Sequence, residues 1–114
     1  MNPEQTVRKF FDCYTKGRPE DFDQYVAPDY VDYGHTPPGI GPGGARDDYD
    51  QAVNMAGGLI SYEIDALVPD GDTVAATWTG TMPGDATLRG LSLFQVSDGL
   101  VRSTRHALIG DAPG

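Results

Sequence analysis

The feature that most constrains the fold is a change of period at Gly57 and Gly58. Before these glycines the apolar residues recur every three or four positions, and after them they alternate. In LISYEIDALV (59–68), Ile60, Tyr62, Ile64 and Ala66 alternate with Ser61, Glu63 and Asp65, the side-chain period of a strand with one buried face. PDGD (69–72) has the Pro-first, Gly-third order of a tight turn, and TVAATWTGT (73–81) returns from it. PGD (83–85) then leads into TLRGLSLFQV (87–96), and SDG (97–99) into LVRSTRHALI (100–109). Four β-runs joined by three tight turns predict an antiparallel meander.

The first half of the chain reads as helical. Asn2 can cap a helix, Pro3 suits its first position, and Gln5 completes a capping-box pair with Asn2. Val7, Phe10, Phe11 and Tyr14 then make one apolar stripe, which Gly17 ends. A short second helix is expected from Pro19, with Phe22, Tyr25 and Val26 on its buried side and Pro28 as its stop. A third is expected from Ala45 to Ala56, presenting Tyr49, Ala52, Val53 and Ala56. Between them DYVDYGHTPPGIGPGG (29–44) starts as a strand and ends as a Gly/Pro bend around His35. Helices followed by a long sheet predict an α+β class: a cone-shaped fold with a curved antiparallel sheet packed against about three helices, its mouth open to a ligand. The 114 residues form a single domain, 1–114, because a second core could not be filled.

Charge and composition exclude several functions. A net charge of −9, with 17 acids against 8 Lys plus Arg, argues against nucleic acid and anionic membranes as partners. No apolar run approaches the roughly 20 residues of a membrane span. MNPEQTVRKFF lacks the apolar core of a signal peptide, and the lone Cys13 suits a reducing compartment, so a cytoplasmic protein is expected. Two histidines without a Cys partner, HxxH or HExxH give no metal signal. GIGPGGA is not followed by GK[ST], and no GxSxG occurs, so neither a phosphate loop nor a nucleophile elbow is expected.

The order helix, short helix, strand with a Gly/Pro bend, helix, four-strand meander resembles the nuclear transport factor 2-like superfamily, which includes ketosteroid isomerases and SnoaL-like polyketide cyclases. VRKFFDCYTKGRPEDFDQYVAPDYVDY, GPGG, VPDGDTVAATWTGT and LFQVSDGLV carry the resemblance over residues 5–110. It implies a cofactor-independent cyclase or isomerase acting on an apolar or polyketide-like small molecule in the cone, and a homodimer. The family's functional positions carry over poorly. The strand-end carboxylate aligns with Tyr33, the oxyanion-holding tyrosine of helix one with Phe10, and the carboxylate before the "F-R-V" motif with Ser92. The family's carboxylates therefore read as not retained.

His35 and Tyr33 remain as the candidate catalytic pair. They share strand parity with Val31, a histidine titrates near neutral pH, and a tyrosine can donate to a carbonyl or epoxide oxygen. Asp32 has the opposite parity and is expected in solvent, and the plainer role for His35 is to cap the bend. Tyr14, Trp78, Ser92, Phe94 and His106 are candidate substrate-binding residues, although Tyr14 and Ser92 serve equally well as core and the facing of His106 is ambiguous. Three functions stay open: ring closure or isomerisation, epoxide opening, and a non-catalytic binding or dimerisation domain.

Overall fold

The computed structural model describes residues 1–110. Helix α1 (Pro3–Thr15) opens on the expected capping box: the Gln5 N–H donates to the Asn2 side chain at 2.8 Å, and the Asn2 N–H donates to the Gln5 side chain at 3.0 Å. Two donors that a helix start leaves unpaired are thereby satisfied. The stripe of Val7, Phe10, Phe11 and Tyr14 is buried as its spacing predicts.

A single 3-10 turn (Pro19–Asp21) runs into helix α2 (Phe22–Tyr25), anchored by the fully buried Phe22. This helix ends at Tyr25 and not at Pro28. Strand β1 (Val26–Asp32) has already begun, and Pro28 lies inside it. The pairing of β1 is irregular between Val26 and Val31, so no regular ladder bond is demanded there of a residue without an N–H.

The short β2 (Gly39–Ile40) folds back on β1, and helix α3 (Gly41–Ala56) starts directly after it, ahead of the expected Ala45. Pro42 suits its first turn. Gly44 lets the helix lie against β2, since a Cβ there would meet the Gly39 carbonyl carbon at 2.7 Å. The glycine run thus serves close packing of helix on strand.

Strands β3 (Ser61–Asp70), β4 (Thr73–Thr81), β5 (Thr87–Ser97) and β6 (Leu100–Leu108) form the antiparallel meander. The whole sheet is curved, unclosed and mixed, in the order β2-β1-β6-β5-β4-β3, with β1 running parallel to β6. One detail of β3 departs from strict alternation. Ile64 pairs with Trp78 and Ala66 with Thr77, so Asp65 is a bulge. Beyond it Ala66 is exposed and Leu67 takes the inward direction.

Three helices cover one face of this sheet, and the core lies between α1 and the inner sides of β4 and β5. Val74, Ala76 and Trp78 alternate inward on β4, as do Ser92, Phe94 and Val96 on β5. The Phe94 ring stands 5.5 Å from that of Phe10 and 5.7 Å from that of Phe11. Burial of each such side chain contributes about 1.5–3 kcal/mol. The parallel seam is pinned by a buried 2.6 Å hydrogen bond between the Tyr30 and Thr104 hydroxyls. No helix among the described residues is long and apolar enough to cross a membrane.

Candidate functional site

Two walls meet around a cavity of about 190 Å³ that opens between α1, α3 and the sheet. The first wall is the sheet. Ser92 on β5 is paired with His106 on β6, and the register puts both side chains inward. Trp78 on β4 is paired with Gly90, whose missing Cβ would lie 2.2 Å from the indole. The ring therefore crosses the β5 backbone and donates its N–H to Ser92 Oγ at 2.8 Å. Ser92 Oγ lies 2.9 Å from His106 Nδ1. An indole N–H can only donate, so Ser92 Oγ accepts it; where the neutral imidazole carries its proton on Nε2, toward Asp32, the Ser92 hydroxyl donates to His106 Nδ1. That Nε2 stands 3.6 Å from the Asp32 carboxylate.

The second wall is built from α1, α3 and the bend. Asp48, midway along α3, accepts the Tyr14 hydroxyl at 2.6 Å on one oxygen and bonds His35 Nε2 at 2.7 Å on the other. His35 Nε2 is also 3.6 Å from Asp32. Asp32 joins the two walls. It is 1% exposed, at the inner end of β1, and accepts the Gly34 N–H at 2.8 Å. One continuous polar chain thus runs Tyr14, Asp48, His35, Asp32, His106, Ser92, Trp78.

The charges in this chain support one another. Burial works against the Asp32 carboxylate, but His106, the Gly34 N–H and the nearby His35 outweigh it and hold its pKa below 3.8. The hydrogen bond to Asp48 overcomes partial burial and, with the charges of Asp48 and Asp32, raises His35 above 6.5. Burial first, and then the charge and bond of Asp48, hold the Tyr14 phenol neutral, well above its ordinary 10.0.

Several expectations change. Tyr33 does not share a face with His35. It is 47% exposed on the outer side of the sheet, with the Arg105 guanidinium 4.0 Å above its ring. The inward parity of β1 belongs to Tyr30 and Asp32, because the large Tyr30 ring takes the core position and bonds Thr104. The carboxylate that faces inward at the end of β1 is Asp32, one residue before Tyr33. Tyr14, Trp78, Ser92, Phe94 and His106 all line the cavity, so the ambiguity of His106 resolves inward. His35 stands behind Asp48 and lines a neighbouring groove with Pro37, Pro38 and Gln51.

Asp48 went unnoticed in the sequence, although a signal was available. With Ala45, Tyr49, Ala52 and Val53 it occupies the inward stripe of α3, and a carboxylate on an apolar stripe needs a partner. Asp32, His35 and Asp48 bring donor atoms within 4.8 Å of one another, a gathering from three elements that no sequence spacing reveals. The 2.7 Å separation of His35 and Asp48 is that of a hydrogen-bonded ion pair.

This combination of fold and mainly apolar cavity defines a small α+β cup that opens between helices and a curved sheet. The chain belongs to the SnoaL-like domain family, whose match covers residues 7–104. Among solved structures it is similar to a protein of unknown function with a cystatin-like fold from Methylobium petroleophilum, at 23% identity and a TM-score of 0.76 over 98% of this chain and 79% of that one. It is also similar to a candidate polyketide cyclase from Acidithiobacillus ferrooxidans, at 21% identity and TM-score 0.75 over 93% and 87% of the two chains. IdmH from Streptomyces antibioticus, described in the same terms, is 18% identical with TM-score 0.75 over 95% and 92%. No curated protein matches the chain.

Proposed function

We propose that the protein is a cyclase or isomerase that moves a proton on a small, largely apolar molecule held in the cavity, with no cofactor. The observation that carries this reading is the convergence of two proton-handling groups, Asp48 and His106, on a mainly aromatic wall. Asp48 is the base. Its two oxygens are oriented by Tyr14 and His35, and each keeps a lone pair for a substrate C–H. His106 is the acid. Once protonated, its Nδ1–H donates to Ser92, which frees the Ser92 hydroxyl hydrogen to turn into the cavity. His35 returns protons between Asp48 and the outer groove. Tight enclosure adds to this by folding the substrate toward its reactive conformer.

Structural relatives described as candidate polyketide cyclases support the same class, and a polyketide-like frame is the substrate we place first. The cavity is near six water volumes of about 30 Å³ each, so it encloses one ring or the reacting end of a longer chain. Epoxide opening by a site in which an arginine holds two aspartates is set aside because no arginine is among the residues lining the cavity. Pairing through the outer sheet face, where Leu91 and Leu93 are exposed, and a cytoplasmic setting belong to the same proposal; sedimentation of the purified chain tests the pairing.

The reading is tested with cyclohex-3-enone, whose conversion to cyclohex-2-enone moves one proton from the α- to the γ-carbon and is followed by absorbance. Catalysis above the buffer rate, falling by about 100-fold or more in Asp48→Asn, is expected. No catalysis by the wild-type protein, or equal catalysis by the variant, would overturn it.

A further inference from the structure

The cavity wall also specifies the charge of what it holds, an inference that rests on the reading of this cavity as the ligand site. Six aromatic side chains, Phe10, Phe11, Tyr14, Tyr62, Trp78 and Phe94, line it, with the Asp48 carboxylate and the His106 imidazole among them and no lysine or arginine in the lining. Within this aromatic box Tyr62 packs at 73° against both Tyr14 and Trp78, with ring centroids 5.6 and 5.2 Å away. Aromatic faces carry negative potential, and a cation brought among them out of water is drawn to them.

The positive edges of the wall are already spent. The Trp78 N–H is turned onto Ser92, the Tyr14 O–H onto Asp48, and with His106 neutral the Ser92 O–H onto His106. In that state no donor is free to hold an oxyanion. The ketone reaction must first protonate His106 to release the Ser92 hydroxyl, whereas a substrate that carries its own positive charge needs no such donor. The negative potential of Asp48 reaches across the box. Burial and then this charge push Tyr62 up to about 12, so the rings remain neutral. Asp48 has His35 as its one imidazole partner and shares it with Asp32, which also faces His106, and the chain as a whole carries −9.

We propose that the aromatic box with Asp48 binds a substrate bearing a tertiary or quaternary ammonium or an iminium group. The positive nitrogen sits among the rings of Tyr14, Tyr62 and Trp78. In an iminium substrate, Asp48 removes the proton from the carbon next to the C=N⁺ bond. The C–H electron pair becomes the C=C bond of a neutral enamine, the π pair of C=N⁺ returns to nitrogen, and Asp48 holds the proton. The cation serves as the electron sink that an oxyanion hole supplies elsewhere.

Trp78 is the sole tryptophan and lines the cavity, so its fluorescence reports binding directly. The test compares choline with its uncharged carbon isostere, 3,3-dimethylbutan-1-ol, which has the same shape. Choline is expected to bind the wild-type chain at least about tenfold more tightly, and Asp48→Asn is expected to bring the two to within about threefold. Equal or tighter binding of the alcohol, binding of neither, or an undiminished preference in Asp48→Asn overturns the proposal. The wild-type comparison needs no variant to fold. Ketone isomerisation without a choline preference would remove the cation and leave the enzyme reading standing, and the reverse result would do the opposite.

Discussion

The two walls of the cavity are assembled by different means. On the sheet wall, Trp78, Ser92 and His106 are neighbours by ladder register, and backbone pairing fixes each contact. On the helix wall, Tyr14, Asp48 and His35 come from α1, α3 and the bend, and only side-chain bonds of 2.6 and 2.7 Å hold them together. A ladder-held wall resists change until its packing fails. A wall of side-chain bonds yields to the loss of one charge. The difference teaches where chemistry can be retuned without unfolding the protein: on the helix side.

The largest effect is expected from emptying the sheet wall. Phe94 is fully buried against Phe10 and Phe11, and Phe94→Ala should lower stability by about 3–5 kcal/mol in urea unfolding. Next comes Gly90→Ala, whose methyl would displace the Trp78 indole. It should cost about 1–3 kcal/mol and shift the tryptophan emission as the bond to Ser92 is lost. An unshifted emission would mean that the ring does not depend on this glycine.

The helix wall should respond mainly through charge. Asp48→Asn removes the partner that raises His35, so the imidazole should titrate closer to 6.5 by NMR. The raised pKa of His35 contributes stability that is fully present below pH about 6.5 and fades as pH rises through the folded value. Asp32, with its lowered pKa, contributes above pH 3.8 and loses that contribution as pH falls through its folded value. In Asp48→Asn the alkaline decline in melting temperature should shrink and the acid one should remain. The smallest effect belongs to Tyr33→Leu, outside both walls. Loss of its stacking with Arg105 should cost about 0.5–1 kcal/mol and leave isomerisation unchanged.

The sheet wall was legible in the sequence because parity and tight turns determine it. The spacing of Val74, Ala76 and Trp78, and of Ser92, Phe94 and Val96, sends them inward without further information. Parity failed where pairing is irregular. In β1 it exchanged Asp32 for Tyr33, and at the Asp65 bulge it left Ala66 facing the wrong way. The helix wall was legible only in part. Tyr14 belonged to a visible stripe, but the contact of His35 with Asp48, thirteen residues on, depends on how the bend seats against α3. No periodicity encodes that. The charge of Asp48 on an inward stripe was the available clue.

The central claim is that both walls act on one molecule in one proton-transfer step. It is tested most directly by cyclohex-3-enone isomerisation in Asp48→Asn, His106→Gln and the double variant. If the walls act together, each single change should cost about 100-fold or more, and the double variant should be little worse than the weaker single one. Losses that simply multiply, or a His106→Gln protein as active as the wild type, would contradict the claim.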